Sequence, residues 1–139
     1  MDFPTLAMAE SEVALSNYTI DSFKINSASS ELRDASRTLS LETSYGEVVS
    51  TANDKSCEIL LGVYVGGAEF TETKDSPLQM HIRGTFKSPV SLSDATLLEH
   101  IVDYGLQELY AIAKASLATL TSGTPTGRIV LPSVKLGQG

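Results

Sequence analysis

The sequence predicts an α+β fold: a four-stranded antiparallel β-meander with a long C-terminal helix and a short second helix packed on one face. Three observations carry this. Residues 94–121 repeat apolar side chains at steps of three and four, the period of a helix. Four upstream stretches alternate apolar and polar residues, the period of a strand. These strands follow one another through polar loops, which suits antiparallel neighbours with a helix laid over their apolar side.

The helix has clear ends. Ser93 stands at the N-cap, where its hydroxyl accepts from a free N–H of the first turn, and Asp94 suits the positive end of the helix dipole. Gly123 and Pro125 stop it. A helix of this length spans ~42 Å at ~1.5 Å per residue. Its apolar stripe, from Leu97, Leu98, Ile101 and Val102 through Leu106, Leu109, Ile112 and Ala113 to Leu117 and Leu120, is too wide for one small sheet. That width predicts a second packing surface, another copy of the chain; the alternative is a helix buried deep within one monomer. Gly105 lies mid-helix, where Gly costs roughly 1 kcal/mol against Ala, and marks a bend or a close approach of another backbone.

The strands are read at residues 18–25, 38–45, 57–65 and 78–86. In the first, Tyr18 and Ile20 share one phase and Phe23 and Ile25 the other, so a bulge near Asp21 and Ser22, or a strand that twists between two surroundings, is expected. In the second, Leu39, Leu41, Thr43 and Tyr45 fall on one side. In the third, Cys57, Ile59, Leu61, Val63 and Val65 form one face, while Leu60 and Tyr64 point away from the helix side. In the fourth, Leu78, Met80, Ile82 and Phe86 alternate with Gln79, His81, Arg83 and Thr85. Residues 26–37 read as a long crossover loop, and residues 127–136, with Pro132 among them, as a packed tail or brief second helix. Residues 1–16 are expected to be a flexible N-terminal tail and 17–139 a single domain.

Composition narrows the function. The chain has 139 residues, a net charge of −7 and no cluster of Lys and Arg, so phosphate-mediated binding of nucleic acid is not expected. No apolar run approaches ~20 residues, so no membrane insertion is expected. One cysteine and no basic, apolar leader at the N-terminus point to the cytoplasm.

Catalytic patterns are missing. His81 and His100 have no partner at a metal-ligand spacing, Cys57 alternates with core residues, and neither a nucleophile elbow nor a phosphate loop occurs. The expectation is a binding or assembly protein rather than an enzyme, with no catalytic residue, metal or cofactor.

The ordered set of elements resembles the bacterial export chaperone SecB and its SecB-like relatives. The likeness rests on Tyr18-Thr19-Ile20-Asp21-Ser22-Phe23 as opening strand and on Arg83-Gly84-Thr85-Phe86 closing the fourth. It also rests on a C-terminal half with Tyr110 and Ala113 mid-helix, a stop at Leu120 to Gly123, and Leu131-Pro132 in the tail. The resemblance implies a homotetramer, a dimer of dimers made through edge strands and long helices. Tyr18, Ile20, Leu98, Ile101, Gly105, Leu109 and Ile112 are the expected interface. It implies apolar grooves for unfolded client polypeptide, with Tyr45, Leu60, Tyr64, Ile129, Val130 and Leu131 as the expected peptide-binding residues. Lys24 and His81 stand where the family's outer face carries acidic residues for the translocation ATPase, which argues against docking of that motor. The implied function is an ATP-independent holdase. Its alternative is a dedicated SecB-like partner-binding protein, an antitoxin chaperone or a phage-encoded assembly protein without a general export role.

Overall fold

An antiparallel sheet lies against one long helical rod in this computed structural model, which describes residues 13–26, 32, 38–67, 76–125 and 127–136. The strands are β1 (Ala14–Ile25), β2 (Thr38–Tyr45), β3 (Val49–Ser50), β4 (Asp54–Gly66) and β5 (Leu78–Pro89). The rod is α1 (Asp94–His100), a π-helical turn (Ile101–Gly105) and α2 (Leu106–Thr121), with right-handed helical dihedrals carried through both junctions.

The sheet order is β1-β5-β4-β2, with the short β3 also on β4. This corrects the expected meander. β2, β4 and β5 are sequential neighbours, but β1 crosses over to pair with the last strand, the order of a Greek key. The crossover itself lies outside the described residues, apart from Asn26 and Leu32. Leu32 is fully buried in the core. β1 begins at Ala14, so residues 14–16 of the expected tail are strand, with Val13 buried before them; residues 1–12 lie outside the described residues.

One bulge reconciles the two phases of β1. The register on β5 shifts between Ile20 and Ser22, so one residue, Asp21, is skipped. Tyr18 pairs with Gly84 and Ile20 with Ile82 before the shift; Phe23 pairs with Met80 and Ile25 with Leu78 after it. All four apolar side chains therefore share the inner face with Ile82, Met80 and Leu78, which are fully buried.

The core fills the space between that face and the rod. Cys57, Ile59, Leu61, Val63 and Val65 meet Leu97, Ile101, Leu109, Tyr110, Ala113 and Leu117. Ser93 caps the rod, its Oγ accepting from the Thr96 N–H at 3.1 Å. The π turn has a definite effect on the buried stripe. The Leu106 N–H reaches back to the Ile101 carbonyl, five residues away, and after Leu97 and Ile101 the inward positions fall in adjacent pairs, Gly105 with Leu106 and Leu109 with Tyr110. Gly105 sits at the crowded point. A Cβ there would lie 2.9 Å from Cε1 of Phe86, so its absence allows the aromatic ring of β5 to pack on the helix backbone.

The tail is not the expected second helix. Residues 127–136 carry no helix and run as a strap along α2. Gly127, at φ +75°, turns the chain into it. The Ile129 N–H donates to Thr121 Oγ1 at 2.8 Å and the Leu136 N–H to Gln107 Oε1 at 2.8 Å. Those helix positions are about 21 Å apart at ~1.5 Å per residue, so seven strap residues rise about 3 Å each, close to a fully extended chain.

Candidate functional site: a groove between the edge strand and the strap

The strap and the edge strand β2 form the two walls of an apolar groove. Thr38, Leu39, Val65, Ile129, Val130, Leu131 and Pro132 line a cavity of ≈ 270 Å³. Leu39 and Val65 face each other directly across β2 and β4, so the groove floor is a cross-strand pair. The strap wall alternates: Ile129 and Leu131 are anchored in the core, while Val130 between them is 57% exposed. Among the described residues β2 pairs only with β4, so this is an edge of the sheet. An apolar groove beside a strand edge can hold an extended chain through side-chain burial and main-chain bonds.

Side chains of α2 position the strap. Tyr110 Oη donates to the Pro132 carbonyl at 2.6 Å, and Gln107 Nε2 to the Val134 carbonyl at 2.7 Å. Burial pushes the Tyr110 phenol above its ordinary pKa of 10.0. A proton held more tightly in the folded chain contributes stability that is complete below pH 10 and is lost as pH rises through the folded-state value. Tyr110→Phe should therefore cost about 0.5–1.5 kcal/mol at neutral pH and flatten the alkaline fall in stability, read from urea midpoints between pH 7 and 11. Equal alkaline slopes in the two proteins would place that lability elsewhere.

The six expected peptide-binding residues do not come together. Ile129, Val130 and Leu131 line the groove. Leu60 and Tyr64 lie on the opposite, outer face of the sheet, in a separate recess of ≈ 180 Å³ lined also by Glu42, Thr43, Ser44, Gly62 and His81. Tyr45 is 43% exposed at the far end of β2, opposite Ile59. Thr38, Leu39, Val65 and Pro132 were not among the expected residues. The signal for Leu39 and Val65 was their shared inward phase near the ends of their strands.

The outer recess is polar because of one glycine. Register places Glu42, Gly62, His81 and Ser22 in one row across all four long strands. Gly62 has no side chain, so Tyr64 folds over it; a Cβ at Gly62 would lie 2.8 Å from Tyr64 Oη. Tyr64 Oη donates to Glu42 Oε2 at 3.3 Å and lies 2.8 Å from His81 Nε2, and Ser22 Oγ lies 2.8 Å from His81 Nδ1. A carboxylate only accepts, so with the Tyr64 proton pointing to Glu42 the 2.8 Å contact calls for the His81 tautomer that carries its proton on Nε2. Gly62→Ala should displace Tyr64, break both bonds and cost about 1–3 kcal/mol by urea denaturation, with the Tyr64 fluorescence shifted towards that of exposed tyrosine. An unchanged midpoint would show that the ring tolerates displacement.

The expected interface residues divide as well. Tyr18 is 49% and Ile20 38% exposed on the edge strand β1. Leu98 and Ile112 are half-buried against the core. Ile101 and Leu109 are completely buried in the chain's own core, and Gly105 is covered by Phe86, so none of these three presents surface in the single chain. The cause is close approach by β5: a Cβ at Gly84 would lie 3.0 Å from Leu109 Cδ1. The rod instead exposes Tyr104 and Leu120, the latter in an apolar recess of ≈ 350 Å³ with Ile20, Ala115, Ser116 and Thr119.

Cys57 is buried, and burial together with the neighbouring Glu58 pushes its thiol pKa up, so it is a poor nucleophile. Among the described residues no group of three or more His, Cys, Asp or Glu side chains is placed to hold a metal ion, and no helix is long and apolar enough to cross a membrane.

Comparison with known proteins gives a structural match. No family model matches the chain, and no curated protein does. Among solved structures it superposes on the SecB-like chaperone Rv1957 of Mycobacterium tuberculosis, solved in complex with a ChAD peptide from the antitoxin HigA1. The TM-score is 0.56 at 11% identity, covering 88% of this chain and 90% of that one. At that identity the match speaks to architecture alone: the chain has the fold of the SecB-like chaperones.

Proposed function

We propose that the chain binds extended segments of other polypeptides in the groove between β2 and the strap, and that it does so as an ATP-independent holdase. The observation that carries this reading is the groove itself, a solvent-open apolar channel of ≈ 270 Å³ between an edge strand and the half-exposed Val130. An apolar client side chain buried there gains ~25 cal/mol per Å², without any need for a particular sequence. The reading is tested with a chemically denatured client diluted into buffer without nucleotide. Light scattering should be suppressed at a stoichiometric amount of this protein. Equal aggregation rates with and without it would sink the holdase.

A second reading is a dedicated binder of one partner, and one observation favours it. The structural neighbour was solved with a peptide from an antitoxin. Isolation of complexes from the native host separates the two readings: one dominant partner supports the second, many clients the first.

Assembly as a dimer of dimers fits the same reading. The exposed Tyr18 and Ile20 on the β1 edge and the recess beside Leu120 are the surfaces that a second copy would cover. The solution mass by light scattering should be that of a tetramer; a monomer at micromolar concentration would remove this part. A buried, protonated cysteine is compatible with a reducing cytoplasm.

A further inference from the structure

The bonds that hold the strap read its backbone. Ile129 N–H, Pro132 C=O, Val134 C=O and Leu136 N–H are each bonded by a side chain of α2, at 2.8, 2.6, 2.7 and 2.8 Å. The helix residues that make these bonds are Thr121, Tyr110 and Gln107. Together with Lys114, which bonds Ser133 Oγ at 3.3 Å, they recur at steps of three, four and seven and so form one stripe. Gln107 both donates to residue 134 and accepts from residue 136, as a residue of a neighbouring β-strand does. A helix face here does the work of a strand edge. The strap's own side chains add an alternation, with Ile129 and Leu131 buried and Val130 exposed, and the one bond from Lys114 to Ser133 Oγ.

A seat that reads main-chain groups and alternate apolar positions accepts any extended chain of that pattern. The strap occupies it by default because a short loop tethers it, at an effective concentration of the order of mM. We propose that the Gln107–Tyr110–Thr121 stripe is a strand-exchange seat. An apolar, extended segment of a partner polypeptide displaces the strap and is held by the same three side chains. This rests on the reading of the partner as extended polypeptide. It adds that the groove beside β2 is the landing site, since Ile129 to Pro132 form its far wall.

The probe is a fluorescent synthetic peptide of residues 127–136 added in trans. A chain truncated after Gly123 should bind it at least ~100-fold more tightly than the full chain, where the tethered strap competes. In the full chain, Leu131→Ala loosens the strap but leaves the seat intact, and should raise apparent affinity for the wild-type peptide roughly tenfold. In the truncated chain, Gln107→Ala removes two bonds and should lower affinity by about tenfold. A truncated chain that stays folded by circular dichroism but binds no peptide, with Leu131→Ala no tighter than wild type, overturns the proposal. If the truncated chain does not fold, the Leu131→Ala comparison decides alone. A concentration-dependent dimer of the full chain that truncation abolishes would assign the seat to a second copy and likewise overturn it. Peptide exchange without suppression of aggregation would leave the seat standing and sink the holdase; suppression without exchange would do the reverse.

Discussion

Phe86→Ala is expected to destabilise the chain by about 3–5 kcal/mol, the largest effect of any single substitution argued here. The ring is 1% exposed and sits between β5 and the π turn, where its edge packs on the backbone of Gly105. Removing it opens a cavity that rigid neighbours cannot close. Gly105→Ala attacks the same contact from the other side. Alanine is the better helix former by up to ~1 kcal/mol. Its Cβ would lie 2.9 Å from Cε1 and 3.0 Å from Cζ of a buried ring with nowhere to move, and overpacking costs about 1–3 kcal/mol. The clash therefore wins, and the single change lowers stability. In the Phe86→Ala background the clash is gone, and Gly105→Ala should become neutral or stabilising, a coupling of about 1–3 kcal/mol in a double-mutant cycle by urea denaturation. Additive single effects would show that the two residues do not share this contact.

That contact also shows what could be read from the sequence. Gly105 in mid-helix signalled a bend or the close approach of another backbone; what comes close is the ring of Phe86, a side chain and not a backbone. The alternation in β4 and β5 assigned inner and outer faces correctly, because a strand's period of two is visible residue by residue. The two phases of β1 left a bulge or a twist open, and the register shift shows the bulge. Strand order was not legible in the same way. Periodicity says which face is buried, not which strand lies alongside, so four consecutive strands read as a meander although β1 pairs with β5. That residues 127–136 are a packed tail and not the brief second helix was not legible for a related reason. Its backbone bonds come from Gln107, Tyr110 and Thr121, up to 29 residues away, and no local pattern records a partner at that distance.

The site was legible only in part because exposure was inferred from phase alone. Leu60 and Tyr64 do face away from the helix, as read. Tyr64 is nevertheless only 5% exposed, since it folds over Gly62 and bonds two side chains. Ile101 and Leu109 were assigned to a contact between copies because the rod's apolar stripe looked wider than one sheet could cover. The strap supplies the missing cover: Ile129 and Leu131 pack into the same core as Leu117 and Ala113. What is left outside is Tyr104 and Leu120 on the rod and Tyr18 and Ile20 on the β1 edge, a smaller and differently placed apolar surface.

Val130→Asp should abolish most binding of unfolded polypeptide while leaving the fold intact. Val130 is 57% exposed, so an aspartate there is solvated in the free protein, and stability should change by no more than about 0.5 kcal/mol. A bound client changes that environment. Closing the groove over the strap would take the carboxylate out of water beside Leu39 and Val65 with no cationic partner among the groove's lining residues. The loss of about 1.5–3 kcal/mol of valine burial, with the desolvation of a charge added, amounts to at least a ~10-fold and more nearly a ~100-fold weaker complex. Leu60→Ser, on the outer face of the sheet, should change the affinity less than about twofold if clients use the groove alone. Fluorescence anisotropy of a labelled, permanently unfolded polypeptide titrated with each variant reads both numbers. Equal affinities for Val130→Asp and wild type would move the binding surface away from the strap. A larger loss from Leu60→Ser than from Val130→Asp would move it to the recess around Tyr64 and His81.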